Sequence, residues 1–195
     1  SDEAFWQIIN LSAVPVIASH SSARHFTPGF ERNMSDEMIQ ALAANGGVIQ
    51  INFGSGFISE RTRAYYMDRY QDRQQFAVEH PEMSEKEILT KHTAQYTIDN
   101  GPMPLASLED VLDHFDHVVN LAGIDHVGIG SDFDGVGDSL PEGLKDVSGY
   151  PNLVRGLLER GYNEPDIIKI LGENLLRVWQ QVEDYAATQQ VATTL

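Results

Sequence analysis

The sequence predicts an α/β protein whose strands run parallel and are joined by helical crossovers. Two observations carry this. Short apolar runs at Pro15–Ser19 (PVIAS), Val48–Phe53 (VIQINF) and around Val127 and Ile129 (HVGIG) alternate with longer stretches of helical periodicity. Such alternation implies parallel strands with helices packed over them. Each run also ends abruptly in polar residues: His20 after the first, Asn52 and Gly54-Ser55-Gly56 at the second, and Ser131, Asp132 and Asp134 after the third. α/β proteins place their chemistry at strand ends, so the three ends suggest one site at one end of a sheet.

The elements follow in order. Ser1 to Asn10 reads as a helix with Asp2 and Glu3 in its first turn, where acidic groups meet the positive end of the helix dipole. After the strand at Pro15–Ser19 comes a loop with Pro28-Gly29. Ser35 is the expected N-cap of a helix to about Asn45, which Gly46-Gly47 stops. The second strand follows at once. From about Ser59 to Asn100 the chain is charged, aromatic and helix-prone, closed off by Gly101-Pro102 and Pro104. Ser107 caps a helix whose Leu108, Val111, Leu112, Phe115, Val118 and Val119 share one face. The third strand begins directly after it. A Gly/Pro-rich loop runs to about Gly149, and Pro151 suits the first turn of a helix through Gly161. Asn163 caps a short helix, EPDIIKIL, and a last helix carries Leu175, Leu176, Val178 and Trp179 before a polar tail from about Ala186. Three strands are too few for a (β/α)8 barrel, which typically takes about 250 residues. They are also fewer than the roughly five or six of an open doubly wound sheet. The chain reads as the back half of something larger.

Composition narrows the function. With 195 residues, 42% of them hydrophobic, the chain is long enough for one domain with a real core. No run approaches the roughly 18 apolar residues of a membrane span, and SDEAFWQIIN does not read as a signal peptide. A formal charge of −16 argues against nucleic acid or an anionic membrane as partner. The absence of cysteine excludes disulfides and thiolate metal sites, so a metal would need His, Asp and Glu ligands.

His20, at a strand end, suits either a zinc ligand or general base, or a turn histidine bonded to nearby backbone. His25 is expected on the surface. Asp132 and Asp134 would face the same side of an extended segment. They suit metal binding, a substrate ammonium or base catalysis, or bonds to turn amides, with Asp132 favoured for lying nearer the strand. Arg32, in PGFERN, suits a carboxylate gripped through two parallel hydrogen bonds, and Arg24 is a weaker candidate; an exposed surface role is the alternative for both. His114, His117 and His126 read as structural, the first two on a helix far from the strand mouth. Gly54–Gly56 lacks the spacing of a phosphate loop, and neither a G-x-S-x-G elbow nor H-E-x-x-H is present.

Five ordered blocks resemble the membrane (renal) dipeptidase family of binuclear zinc peptidases. They are PVIASHSSAR (Pro15–Arg24), ERNMSDEMIQALAANGGVIQINF (Glu31–Phe53), HFDHVVNLAGIDHVGIGSDFDGV (His114–Val136), LPEGLKDVSGYPNLVRGLLERGY (Leu140–Tyr162) and GENLLRVW (Gly172–Trp179). The resemblance implies the C-terminal portion of a (β/α)8 TIM-type barrel, one domain over residues 1–195, with a helical expansion at about 59–105. It implies zinc-dependent hydrolysis of dipeptides, with two Zn²⁺ in a complete site and other divalent metals open. His20 matches a metal ligand, Arg32 the residue that binds the substrate's C-terminal carboxylate, and Asp132 a catalytic and substrate-binding acid near the amino end and scissile bond. Phe57 stands where some relatives have a substrate-contacting tyrosine. The family's other metal ligands would lie upstream of Ser1, which leaves this chain one ligand and an expected need for a homodimer or a partner carrying the N-terminal half. The alternatives are a catalytically silent half-barrel and a related metal-dependent amidase or lactonase.

Overall fold

The computed structural model describes residues 1–193. Helix α1 (Asp2–Leu11) is followed by β1 (Ile17–Ser21), α2 (Asp36–Ala44) and β2 (Val48–Ile51). Four helices come next: α3 (Ser55–Ile58), α4 (Glu60–Glu79), α5 (Glu85–Asn100) and α6 (Leu108–Ala122). The chain closes with β3 (Val127–Ile129), α7 (Tyr150–Glu159), α8 (Glu164–Ile168) and α9 (Asn174–Thr193). The three strands form one parallel sheet in the order β1-β2-β3, with Ile17 opposite Val48 and Ile49 opposite Val127. The predicted parallel α/β arrangement is present.

The sequence pattern misplaces β1 by two residues. Pro15 has no N–H to give a ladder, and the Val16 N–H is taken by the Asn45 side chain at 2.8 Å. The strand therefore starts at Ile17 and carries Ser19, His20 and Ser21 inside it rather than after it. Its register breaks between Ala18 and Ser21, a bulge-like irregularity that re-aims the side chains there. β2 stops at Ile51, two residues before the predicted Phe53, although the Asn52 N–H still reaches the Ser21 carbonyl at 3.1 Å.

One face of the sheet is covered by helices. Ile49, Ile51 and Phe53 pack in a core with Ile39 and Leu42 of α2, Val111, Leu112, Phe115 and Val118 of α6, and Leu153 and Leu157 of α7. α6 begins with reciprocal capping: Ser107 Oγ accepts from the Asp110 N–H at 3.1 Å, and Asp110 Oδ2 accepts from the Ser107 N–H at 2.7 Å. α9 is moored to β3 through Asn174, whose Nδ2 donates to the carbonyls of Ile124 (2.7 Å) and Val127 (2.8 Å). The stretch expected as a polar tail from Ala186 continues this helix.

α4 and α5 form a hairpin over the helix-prone region, joined by a His92–Asp72 bond (2.7 Å) and the edge-on rings of Tyr65 and Tyr96. Thr62 Oγ1 and Tyr65 OH tie its base to the carbonyls of Pro104 and Gly101. Two kinds of surface are left open. Among the described residues no strand pairs with the outer edges of β1 and β3, and α9 exposes Leu176 and Trp179. No helix in the described part is long and apolar enough to cross a membrane.

Candidate functional site

The loop after β1 is held so tightly that its partners define the site. Ser22 Oγ donates to the Asn52 carbonyl (3.1 Å), and the Ser22 N–H donates to Asn33 Oδ1 (3.1 Å). Asn33, fully buried, uses Nδ2 to reach Thr27 Oγ1 and the Phe57 carbonyl, both at 2.7 Å. The Ala23 N–H donates to His114 Nδ1 at 3.0 Å, and His114 Nε2 lies 3.0 Å from the Ile58 carbonyl. An accepting Nδ1 and a carbonyl at Nε2 place the proton on Nε2. Burial, which disfavours a charged imidazole, pushes the His114 pKa down to about 4. His114 is structural, as the sequence indicated, but it is not remote from the strand mouth: it grips the residue two positions beyond β1.

Two arginines with similar sequence credentials behave oppositely. Arg24 donates Nε to the Asn33 carbonyl at 2.8 Å and both terminal nitrogens to Asp2 at 2.9 and 2.6 Å. That pairing raises the Arg24 pKa and lowers that of Asp2. Arg24 thus grips a carboxylate of its own chain. Arg32 is exposed, stands 5.6 Å from the Phe57 ring centroid and forms no ion pair with any described residue. Phe57 is itself steadied edge-on by Phe30, 5.4 Å away.

The third strand delivers Asp132 in an uncommon backbone state, φ +59°, which Asp tolerates better than most residues. The Gly135 N–H closes the turn onto the Asp132 carbonyl at 3.0 Å, and Asn52 Nδ2 donates to Asp132 Oδ2 at 2.8 Å. The turn corrects one expectation. The segment is not extended past Asp132, so Asp134 does not share its side; it is exposed and lines no part of the cavity described next.

A cavity of about 520 Å³ runs along the outer edge of β1, lined by every residue from Val16 to Ser21 and by Phe5 and Ile8 of α1. Consecutive lining residues mean that the strand's edge, not one of its faces, borders the space. Its lining also includes His20, Arg32 and Asp132. These were predicted separately, from segments more than a hundred residues apart at the extremes, and the fold brings them together. His20 is exposed, with Nδ1 3.1 Å from Ser19 Oγ, and Nε2 has no hydrogen-bond partner among the described residues. A free imidazole nitrogen suits a divalent cation. On its own it supplies a single nitrogen ligand.

A second group that could hold a metal is His25, Asp36 and His117, with one ligand atom from each lying within 4.8 Å of the others. None of the three lines the cavity. His117 Nε2 already meets Asp36 Oδ1 at 2.8 Å, and the His25 ring stacks on His117 at 4.5 Å. This arrangement ties the turn after β1 to α2 and α6. Asn33 and the gripping role of His114 escaped the sequence reading, because their partners are set only by the fold.

His20 in β1, Arg32 in the loop that follows it and Asp132 after β3 thus border one space beside a parallel sheet. The chain belongs to the membrane dipeptidase family, peptidase family M19, whose family model matches residues 1–193. It is 34% identical over 190 residues to dipeptidase tcpJ of Claviceps purpurea, covering 97% of this chain and 35% of that protein. Among solved structures it is similar to the probable dipeptidase PvdM of Pseudomonas aeruginosa (TM-score 0.75, 30% identity, 94% of this chain and 49% of that one). It is also similar to a metallo peptidase of Rhodobacter sphaeroides liganded with a phosphinate mimic of the dipeptide L-Ala-D-Ala (TM-score 0.67, 27% identity, 93% and 40%). The chain thus spans about a third of the length of its curated relative and half or less of these solved chains.

Proposed function

We propose that this chain is the C-terminal portion of a (β/α)8-type, zinc-dependent dipeptidase, residues 1–195 forming one unit with the α4–α5 hairpin as an expansion. The observation that carries the reading is Arg32: a guanidinium without an internal carboxylate, lining the same cavity as His20 and Asp132. An unpaired Arg beside a cavity is suited to a planar carboxylate held through two hydrogen bonds. The phosphinate dipeptide mimic bound by the Rhodobacter sphaeroides relative supports a dipeptide as substrate.

In this reading Arg32 takes the substrate's terminal carboxylate, which favours short peptides whose free carboxylate falls one residue beyond the scissile bond. Asp132 faces the amino end, orients the ammonium and assists proton transfer to the leaving amine. His20 would hold a metal through its open Nε2. When bound, a pair of Zn²⁺ ions supplies carbonyl polarisation and a water whose pKa is brought to near 7. The remaining ligands come from a further segment or partner chain. The open edge of β1, bordering the cavity, supports a seat for such a segment, since unpaired edge amides otherwise invite association.

The test is hydrolysis of a simple dipeptide with added Zn²⁺, with and without a chelator, by this chain alone and by the protein completed with its N-terminal half. Chelator-sensitive turnover by the completed protein, and none by the chain alone, is expected. A completed protein that binds zinc and cleaves N-acyl amino acids or lactones but no dipeptide would overturn the substrate assignment.

A further inference from the structure

Asn52 follows β2 and is fully buried, with every polar atom engaged. Its N–H donates to the Ser21 carbonyl (3.1 Å), and its own carbonyl accepts from Ser22 Oγ (3.1 Å). In the side chain, Oδ1 accepts from the Gly54 N–H at 2.7 Å and Nδ2 donates to Asp132 Oδ2 at 2.8 Å. An N–H on one side and a carboxylate on the other settle which way the amide points: its oxygen must face Gly54 and its nitrogen Asp132.

Asp132 needs such a hold. It sits at positive φ in a turn that has already left the ladder, so the sheet does not fix its side chain. The other flank of its carboxylate is shaped by Gly135, where an added Cβ would collide with Asp132 Oδ1 and come within 2.8 Å of its Cγ. A donor thus holds one oxygen, and the absence of a side chain at Gly135 leaves room for the other.

We infer that Asn52 is a positioning residue, which aims the Asp132 carboxylate at the substrate and does not itself touch it. The inference rests on reading Asp132 as the substrate-facing acid and adds the residue that orients it. Asn52→Asp keeps an acceptor for the Gly54 N–H, removes the amide donor to Asp132 and sets a second carboxylate against it.

In the completed, zinc-loaded enzyme, Asn52→Asp should lower dipeptide kcat/KM by roughly 10- to 100-fold, the size of effect expected when a reacting group is misplaced by about 1 Å. The loss should fall more on kcat than on KM, with bound zinc unchanged. The exchange Asn52→Asp with Asp132→Asn restores a donor–acceptor pair in reverse. Its melting temperature should recover toward wild type, while its activity should be no lower than that of Asp132→Asn alone. An Asn52→Asp enzyme within twofold of wild-type kcat/KM, or losses that multiply in the double variant, would overturn the inference while leaving the Asp132 reading intact. A fully active Asp132→Asn enzyme would overturn that reading and the inference with it. Should Asn52→Asp fail to fold, Gly135→Ala displaces the same carboxylate without altering Asn52, and wild-type kcat/KM in that variant would also overturn the inference.

Discussion

Arg24 holds Asp2 through two parallel hydrogen bonds of 2.9 and 2.6 Å and so fastens α1 to the loop that carries Arg32. The same guanidinium reaches the Asn33 carbonyl from the far side. Helix, loop and α2 therefore meet at one side chain, only 16% exposed. Arg24→Ala should lower unfolding free energy by about 1–2 kcal/mol, the range for a charge-assisted pair with one partner still partly in water. Urea denaturation midpoints for wild type, Arg24→Ala and Asp2→Asn measure this. An unchanged midpoint in both variants would show that the clamp adds nothing.

His114 makes stability depend on pH. Burial lowers its pKa to about 4 in the fold, against roughly 6.5 in the unfolded chain. Between those values the unfolded state binds more protons. The stability from a neutral His114 is therefore complete above about pH 6.5 and is lost as pH falls toward 4, by about 3 kcal/mol. The comparison is urea unfolding at pH 7 and 4.5 for wild type and His114→Gln. The variant should show a flatter pH dependence; identical slopes would mean that other groups carry it.

Arg32→Ala in the completed enzyme should raise dipeptide KM by roughly 10- to 100-fold, the loss of a charge-assisted pair, with metal content unaffected. Arg32→Lys should recover part of the loss, since an ammonium keeps the charge without the two-pronged geometry. His20→Ala should do the reverse and lower bound zinc, measured by elemental analysis. Equal metal content in His20→Ala and wild type would remove His20 from the ligand set.

Gly156 lets α7 lie close against α6: a Cβ there would stand 2.5 Å from Leu112 Cδ1. Leu112 is fully buried and has little room to turn. Gly156→Ala should cost about 1–3 kcal/mol by overpacking, read as a lower melting temperature. Unaltered melting would show that the two helices shift apart freely.

Much of the fold was legible because it is written in short-range patterns. The Leu108–Val119 face of α6, the Ser35 and Ser107 caps and the apolar run before Asp132 each lie within one element. Of the candidate site, the residues to test were legible, since His20, Arg32 and Asp132 stand in blocks that resemble a known family. Their orientation was not. The turn at Asp132 removes Asp134 from the cavity, and nothing between Ile129 and Gly135 announces a positive φ.

Read as a string, the chain already showed a parallel α/β layer, the starts of its capped helices to within a few residues and the family to which it belongs. Folding alone distinguishes residues of the same kind. Arg24 is neutralised by Asp2, 22 positions away, while Arg32 is left free; His114 is locked neutral between Ala23 and Ile58, while His20 keeps an open nitrogen. Even the start of β1 depends on Asn45, 29 residues on, claiming the Val16 N–H. Periodicity and caps are local and survive in the chain as written. Which charge or hydrogen-bonding group is left without a partner depends on segments that meet only when the fold closes.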